Sequence, residues 1–156
     1  MTNIIHVPEG QDRLGNRLIV EGVVPLDRKV TTQDTNGGIF IYEHKNVGKG
    51  GPPRHLHYEQ DEWLYALAGE FVVEIGDERV ILKQGDSVFA PRNVPHAWAH
   101  MTDEPATLLF IAQPAGSMEA FFKKISGDES PFEWEELEKI YIEHGMKLLD
   151  KPIEVG

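Results

Sequence analysis

Three histidines and one glutamate have the residue types and the spacing of a metal site. His55 and His57 stand two apart in an extended stretch, so both side chains point to the same face of a strand. Glu62 follows after a short loop, and His96 lies on another predicted strand much later in the chain. Imidazole nitrogens and a carboxylate oxygen suit one divalent transition metal such as Fe, Mn, Ni, Cu or Zn. Such a set leaves coordination positions open for a substrate.

Other polar residues near these four can be confused with ligands. Glu59 and Asp61 flank Glu62, but acidic residues in loops are usually solvated, so we interpret both as surface charges. His100 shares a strand face with His96 but lies four residues further on, roughly 13 Å away at strand rise. That distance favours a buried, hydrogen-bonded histidine over a fifth ligand.

The remaining histidines and two arginines carry weaker signals. His6, His44 and His144 have no metal-like spacing, and His144 is best interpreted as a residue at the C-terminal end of a helix. Arg54 and Arg92 lie beside the candidate ligands in sequence. They can meet an anionic substrate or lie on the surface, which is the commoner place for arginine.

Short strands are the elements that must position the candidate ligands. Apolar and polar residues alternate in brief runs between turn residues, which is typical of a sandwich or barrel. Gly76 and Asp77 form the hairpin turn between two of these runs. The predicted strands are 17–20, 30–33, 39–43, 62–67, 71–75, 80–82, 87–90, 96–100 and 107–112.

The hydrophobic period changes to that of helices after residue 116. A first helix is predicted from a cap at Ser117 through Lys124. A second is predicted from a capping box between Ser130 and Glu133, with proline at its first position, to a stop at Gly145. We interpret its apolar face as packing against its own barrel rather than binding a cofactor. That face comprises Trp134, Leu137, Ile140, Tyr141 and His144.

Composition limits the classes of function. The 156 residues fit one domain, and 40% apolar residues suffice for one core. The net charge of −11 argues against nucleic acid and anionic membrane partners and fits a small-molecule substrate in an internal pocket. Cysteine is absent, so thiolate ligands and disulfides are excluded. The N-terminus lacks the basic start and long apolar run of a signal peptide, and we expect a cytoplasmic protein.

Two longer patterns resemble the motifs of the cupin family. His55-Leu-His57-x4-Glu62-x6-Gly69 resembles the first motif, in which Gly-x5 precedes His-x-His-x3–4-Glu-x6-Gly. Gly85-x5-Pro91-x-Asn93-x2-His96 resembles the second motif, Gly-x5-Pro-x-Gly-x2-His-x3-Asn. The resemblance covers about residues 50–100. Further short segments resemble small bacterial quercetin-dioxygenase-like cupins: Gly37-Gly38, Gly50-Gly51-Pro52-Pro53, Pro114-Ala115-Gly116 and Glu143-His144-Gly145.

Three positions depart from the family motifs. Lys49 occupies the place of the first motif's opening glycine, with glycines on either side of it. Asn93 replaces the glycine of the second motif, which asparagine can do because it tolerates a left-handed backbone. His100 replaces the final asparagine. The four positions that hold metal in the family are intact in this chain.

The resemblance implies an all-β fold, a cupin-type antiparallel double-stranded β-helix (jelly-roll barrel) with C-terminal helices packed outside. One domain would span residues 1–156, with the barrel at about 17–113 and the helical extension at about 117–145. The resemblance also implies that His55, His57, Glu62 and His96 bind one divalent transition metal and that Glu62 acts in catalysis as proton acceptor. The implied function is a metal-dependent dioxygenase acting on a small enolic or phenolic compound.

Two alternative functions and the assembly state stay open. A sugar-type isomerase or epimerase would want clustered basic residues, of which only Lys49, Arg54 and Arg92 lie near the motifs. A non-catalytic small-molecule binding or sensing cupin is weakened by the intact ligand set and the lack of an output domain. We expect a homodimer, because small cupins usually pair and the segment before residue 31 can extend a partner's sheet. Alternatively, that segment covers an edge of its own barrel.

Overall fold

Two antiparallel sheets form the framework of the computed structural model, which describes residues 3–127 and 131–156. The first sheet has the strand order β1-β2-β3-β10-β5-β8 and the second has the order β11-β4-β9-β6-β7. The strands are β1 Leu18–Val20, β2 Val24–Val30, β3 Phe40–His44, β4 Pro53–His57, β5 Asp61–Ala68, β6 Phe71–Ile75, β7 Glu78–Leu82, β8 Ser87–Ala90, β9 His96–His100, β10 Thr107–Gln113 and β11 Met146–Pro152, and the helices are α1 Met118–Lys124 and α2 Trp134–Glu143. The predicted all-β fold with C-terminal helices is confirmed.

Alternation of side chains builds the interior between the two sheets. Along β5, Glu62, Leu64 and Ala66 are buried, whereas the residues between them are half-buried. In β10, Leu108 and Phe110 are buried in the same alternating way. A period of two places every second side chain on the inner face, so the strands of the first sheet present apolar rows to the second sheet.

The strand prediction for residues 30–33 is wrong, and two strands were not predicted. Residue 30 ends β2, and Gln33–Thr35 form a 3₁₀ turn. Strand β2 was not predicted because the charged residues Asp27 and Arg28 favour an exposed loop, yet both side chains are buried. They tolerate burial because each is paired, Asp27 with Arg17 at 2.8 Å and Arg28 with Asp12 at 2.9 Å. Strand β11 was not predicted for the same reason, since its exposed residues include lysine and aspartate.

The first helix matches its prediction, and the second begins later than predicted. Helix α1 begins after Ser117, although the Ser117 side chain makes no capping hydrogen bond. Glu133 is extended (φ −66°, ψ 150°), so α2 begins at Trp134, three residues after the predicted first position. Of the predicted capping box, Ser130 lies outside the described residues. Gly145 follows the helix with φ +75°, a left-handed conformation that glycine adopts readily.

The N-terminal segment folds back onto β2 of its own chain. The backbone N–H of Arg13 donates to the carbonyl oxygen of Arg28 at 2.7 Å. The Arg28 side chain also donates to both carboxylate oxygens of Asp12, at 3.0 and 2.9 Å. Strand β1 likewise pairs with β2 of the same chain. Across the described parts of the chain, no helix is long and apolar enough to cross a membrane.

Candidate metal centre

The sheet register brings the four predicted ligands together inside the barrel. Strand β4 carries His55 and His57, β5 carries Glu62 and β9 carries His96. His55 lies directly opposite His96 across the β4–β9 pair. One candidate ligand atom from each of the four residues lies within 4.8 Å of the others, and all four residues are buried. Residues far apart in sequence therefore converge on one point, as the spacing predicted.

Hydrogen bonds to backbone orient two of the imidazoles. His55 Nδ1 lies 2.7 Å from the carbonyl oxygen of Pro53, and His96 Nδ1 lies 3.1 Å from that of Val94. A carbonyl only accepts, so each Nδ1 carries a proton, and Nε2 is the nitrogen of each ring that can face a metal. Histidines that bind metal commonly donate their other ring N–H in this way.

Several buried ring nitrogens lack a hydrogen-bond partner. Within the described parts of the chain, Nε2 of His96 and both ring nitrogens of His57 are buried without one. His57 Nε2 instead forms a close contact with Oε1 of Glu62, and His96 Nε2 lies 3.6 Å from the same oxygen. Unsatisfied buried nitrogens are costly, and a divalent cation among them would satisfy them. The donor set of three imidazoles and a carboxylate fits such an ion.

Burial and neighbouring charges set the protonation states of the Glu62 carboxyl and the His55 ring. Burial opposes ionisation of Glu62, but the neighbouring imidazoles of His57 and His96 outweigh it and hold the pKa of that carboxyl well below its usual range. Burial, followed by the like charges of His96 and His57, lowers the pKa of His55 well below its usual value. The cluster therefore offers an ionised carboxylate and a neutral imidazole, which are the forms that ligate metals.

Gln60 braces the turn between the two ligand strands β4 and β5. Its side-chain N–H groups donate to the carbonyl oxygens of Ala115 at 2.5 Å and Pro114 at 3.3 Å. A Cβ atom at Gly116 would collide with the Gln60 side chain, so this position accepts only glycine without rearrangement. Burial of His57 opposes its protonation, but the Glu62 charge and, to a smaller extent, Gln60 raise the pKa of that ring. The loop after β10 thereby fixes the backbone on which His57 and Glu62 stand.

A cavity of about 530 Å³ opens onto the candidate ligands His55, Glu62 and His96. Its volume lies in the range of small-molecule binding pockets. Tyr42 lies beside Glu62, and burial together with the Glu62 charge raises the pKa of the phenol well above its usual value. Tyr42 therefore remains a hydrogen-bond donor. The apolar walls come from Val20, Val24, Val47, Trp98, Phe110, Met118, Phe121, Phe122, Ile125, Leu137 and Met146.

The C-terminal helices close one side of this cavity. Three residues of the predicted apolar face of α2, Leu137, Ile140 and Tyr141, pack on their own chain, whereas Trp134 is exposed. Leu137 and Tyr141 line the cavity rather than only the outside of the barrel. The Tyr141 ring lies 5.6 Å from that of His55, edge to face. From α1, Phe121 and Phe122 add aromatic wall. The periodic stripe on α2 was the sequence signal, although it did not identify the surface that the stripe covers.

The acidic neighbours of Glu62 lie outside the cluster. Asp61 accepts hydrogen bonds from the Arg92 side chain at 3.2 and 3.1 Å near the surface, and Glu59 is exposed. Arg92 is thereby held away from the cavity. Arg54 donates to the carbonyl oxygen of Gly76 at 2.7 Å and is not among the lining residues. Neither arginine is placed to meet a substrate.

Three of the other histidines do not line the cavity, whereas His44 lines it and was not predicted from the sequence. His100 is buried, and its Nε2 lies 3.2 Å from the Thr102 hydroxyl, as expected for a hydrogen-bonded histidine. His6 is exposed, and His144 bonds to the carbonyl oxygen of Ile140 at the end of α2. His44, which sequence reasoning set aside, lines the cavity. The only sequence signal for His44 is its position in a strand whose alternate side chains face the interior.

Comparisons with known proteins agree with this architecture. Residues 42–112 match the family model of the cupin domain. An uncharacterized protein of Methanocaldococcus jannaschii is 29% identical over 65 residues, which are 42% of this chain and 52% of that protein. This chain therefore spans about half the length of that curated relative.

Two solved structures share the fold at low sequence identity. An RmlC-like cupin from Shewanella frigidimarina has a TM-score of 0.59 and 18% identity, over 73% of this chain and 93% of that one. A predicted oxalate decarboxylase from Thermotoga maritima has a TM-score of 0.60 and 18% identity, over 72% of this chain and 99% of that one. The cupin domain model therefore matches the part of this chain that carries the candidate ligands Glu62 and His96 together with His55 and His57, and the two solved structures share its fold.

Proposed function

We propose that this protein is a metal-dependent dioxygenase of the quercetin-dioxygenase-like kind, acting on a small enolic or phenolic compound. The observation that carries the proposal is the position of the cluster of four candidate ligands, three of which line a cavity whose walls are mostly apolar and aromatic. Such walls suit a planar, weakly polar substrate. The cluster of candidate ligands provides the position at which an acidic oxygen of that substrate would bind.

In this proposal each residue has a definite task. His55, His57, His96 and Glu62 hold the metal, which when bound supplies Lewis acidity and an open position for a substrate oxygen. Glu62 is ionised, so it accepts the proton that the enol or phenol loses. The Tyr42 hydroxyl donates to the Glu62 carboxylate and orients it. Aromatic walls exclude water from the substrate while dioxygen reacts with it.

A sugar isomerase or epimerase has less support. Substrates that carry a phosphate or nucleotide need cationic side chains, and Arg54 and Arg92 are engaged elsewhere. Lys49 lines the cavity, but it donates to the Gly156 carbonyl oxygen at 3.3 Å and lies 3.5 Å from the Asp103 carboxylate. The apolar walls also match a sugar poorly.

Oxygen uptake tests the proposal. Metal-loaded protein is offered flavonols, catechols and β-diketones while dissolved oxygen is recorded, with His57→Ala and the surface variant His6→Ala compared in parallel. We expect uptake with at least one class, its loss in His57→Ala and its retention in His6→Ala. Metal binding without uptake on any class would contradict the dioxygenase and favour a non-catalytic binding or sensing protein.

A further inference from the structure

His44 is a histidine inside the cavity that the proposed mechanism does not use. It is buried on the inner face of β3 and lines the same cavity as the candidate ligands. Four aromatic rings surround it at centroid distances of 5.5 to 6.0 Å, from Tyr42, Trp98, Phe110 and Phe122. A polar ring in such surroundings needs a polar partner on each side.

One ring nitrogen of His44 has such a partner and the other does not. Nδ1 lies 3.1 Å from the carbonyl oxygen of Pro25, which can only accept, so Nδ1 carries the proton. Burial lowers the pKa of His44 to about 4, so the ring is neutral near neutral pH. The lone pair is therefore on Nε2, for which the described residues provide no hydrogen-bond partner.

The sheet register gives the separation between His44 and the candidate metal ligands. Glu62 stands in one cross-strand row with Ala112, and His44 stands in the row of Leu108. The row of Tyr42 and Phe110 lies between them, so the two rows are four residues apart, roughly 13 Å of strand. The Tyr42 and Phe110 rings are parallel within 2° at a centroid distance of 4.8 Å.

The positions of these residues define the length and shape of a ligand that would fit the cavity. One end reaches the cluster that contains Glu62, and a flat body lies along the aromatic rows. The other end reaches His44, whose Nε2 accepts a hydrogen bond and cannot donate one. A polar hydrogen at that end of the ligand would satisfy Nε2, whereas an unsubstituted ring would leave it unpaired.

We propose that His44 is a substrate-binding residue that selects planar aromatic phenols with a metal-binding oxygen group at one end and a hydroxyl at the other, which donates to His44 Nε2. The inference rests on the proposed function, because it assumes that an enolic or phenolic oxygen occupies the metal end. It adds a specificity determinant that lies outside both cupin motifs. It also explains why a buried histidine stands in an aromatic wall.

A matched pair of ligands tests the inference without turnover. Zinc-loaded protein is titrated calorimetrically with 3-hydroxyflavone and with 3,4′-dihydroxyflavone, which adds a hydroxyl at the far end of the molecule. Zinc suits the ligand set and has no redox chemistry, so affinity is measured apart from activity. In the wild type we expect the dihydroxy compound to bind about tenfold more tightly, as one hydrogen bond to a buried acceptor implies.

Variants at His44 show whether this residue is responsible for the higher affinity of the flavone that carries the additional hydroxyl. His44→Phe and His44→Leu both lack the acceptor, so the affinity ratio should fall to about one in whichever of them keeps the fold. His44→Gln can donate to Pro25 and still present an oxygen, and it should restore part of the ratio. Equal affinity of the two flavones for the wild type, or an unchanged ratio in His44→Phe or His44→Leu, would overturn the inference and leave the proposed function standing. Failure of both flavones to bind zinc-loaded wild type would contradict the inference and the phenolic substrate together.

Discussion

Tyr141 packs the edge of its ring against the imidazole of His55, with 5.6 Å between the ring centroids. The contact joins α2, which follows the barrel in sequence, to a candidate metal ligand on β4. The C-terminal extension is therefore part of the wall around the site. Substitutions in α2 should therefore change both the free energy of unfolding and the environment of the candidate ligands.

We expect Tyr141→Ala to lower the free energy of unfolding by about 3–5 kcal/mol, because it removes a large buried ring and leaves a cavity. Urea denaturation of the metal-free protein measures the change. Tyr141→Phe keeps the ring and should cost much less. A Tyr141→Ala protein as stable as the wild type would show that α2 does not seal the site.

The roles of Glu62 and its neighbour Asp61 should separate on substitution. In Glu62→Gln the charge is lost, so metal affinity should fall but survive on three histidines. Turnover in metal-loaded Glu62→Gln should fall on the order of 10²–10⁴-fold, because an amide is not a useful base. Asp61→Asn, which alters only the surface pair with Arg92, should leave both quantities nearly unchanged.

Metal titration and steady-state rates of the two variants measure these effects. Activity of metal-loaded Glu62→Gln within a few-fold of wild type would remove the proton-acceptor role. Loss of metal in Asp61→Asn but not in Glu62→Gln would move the ligand to Asp61.

His44 should make stability depend on acid pH. Its pKa is about 4 in the folded protein, against 6.5 as the usual value for histidine. As the pH falls below 6.5 the unfolded state binds the proton first, so the stabilisation present above 6.5 is lost progressively down to about pH 4. The full effect is about 3 kcal/mol.

Urea denaturation of metal-free wild type and His44→Phe, from pH 7.5 to 4, measures that dependence. The other titrating groups, including Glu62, are common to both proteins. We expect the wild type to lose more stability than the variant over this interval. Parallel stability curves would mean that the folded protein does not hold His44 neutral.

The sequence predicted the cluster of candidate ligands and the middle strands because most of their signals are local. Tight turns at glycine, such as Gly76, bound β6 and β7, and the ligand spacing lies within motifs of a few residues. The convergence of His96 with His55 and His57 then follows from two motifs at the expected separation. The resemblance to the family motifs, and not local spacing, supplied the pairing of β4 with β9 on which that convergence depends.

Features that depend on tertiary pairing were missed. Strand β2 contains buried Asp27 and Arg28, whose partners Arg17 and Asp12 neutralise charges that otherwise indicate a loop. His44 belongs to the site only because β3 pairs with β10, and β10 with β5. Nothing in its sequence spacing to the ligands reveals that arrangement.

We predict a homodimer at micromolar concentration, formed through the outer face of the first sheet. Ile41, Ile111, Trp63 and Phe89 form a continuous apolar row across four strands, and Phe89 is 54% exposed. Two copies with a net charge of −11 repel each other, so contact is expected at such an uncharged face. The pairing expected from the sequence, in which the N-terminal segment extends a partner's sheet, has less support because β1 pairs with β2 of its own chain.

Light scattering measures the assembly state of the wild type and of Phe89→Lys. We expect a dimer mass for the former and a monomer mass for the latter. Ile142→Lys, a change at an exposed residue of α2, is the matched control and should stay dimeric. A monomeric wild type, or a dimeric Phe89→Lys, would contradict the assignment of this face.

The most direct test of the metal centre is the metal content of the purified protein and of His57→Ala. Elemental analysis of protein from its own source should find about one equivalent of a transition metal, and His57→Ala should lose most of it. Removing one of four protein ligands takes away much of the binding free energy and misdirects the other three. Full occupancy in His57→Ala, or a wild type that takes up no transition metal even when one is supplied, would contradict the account.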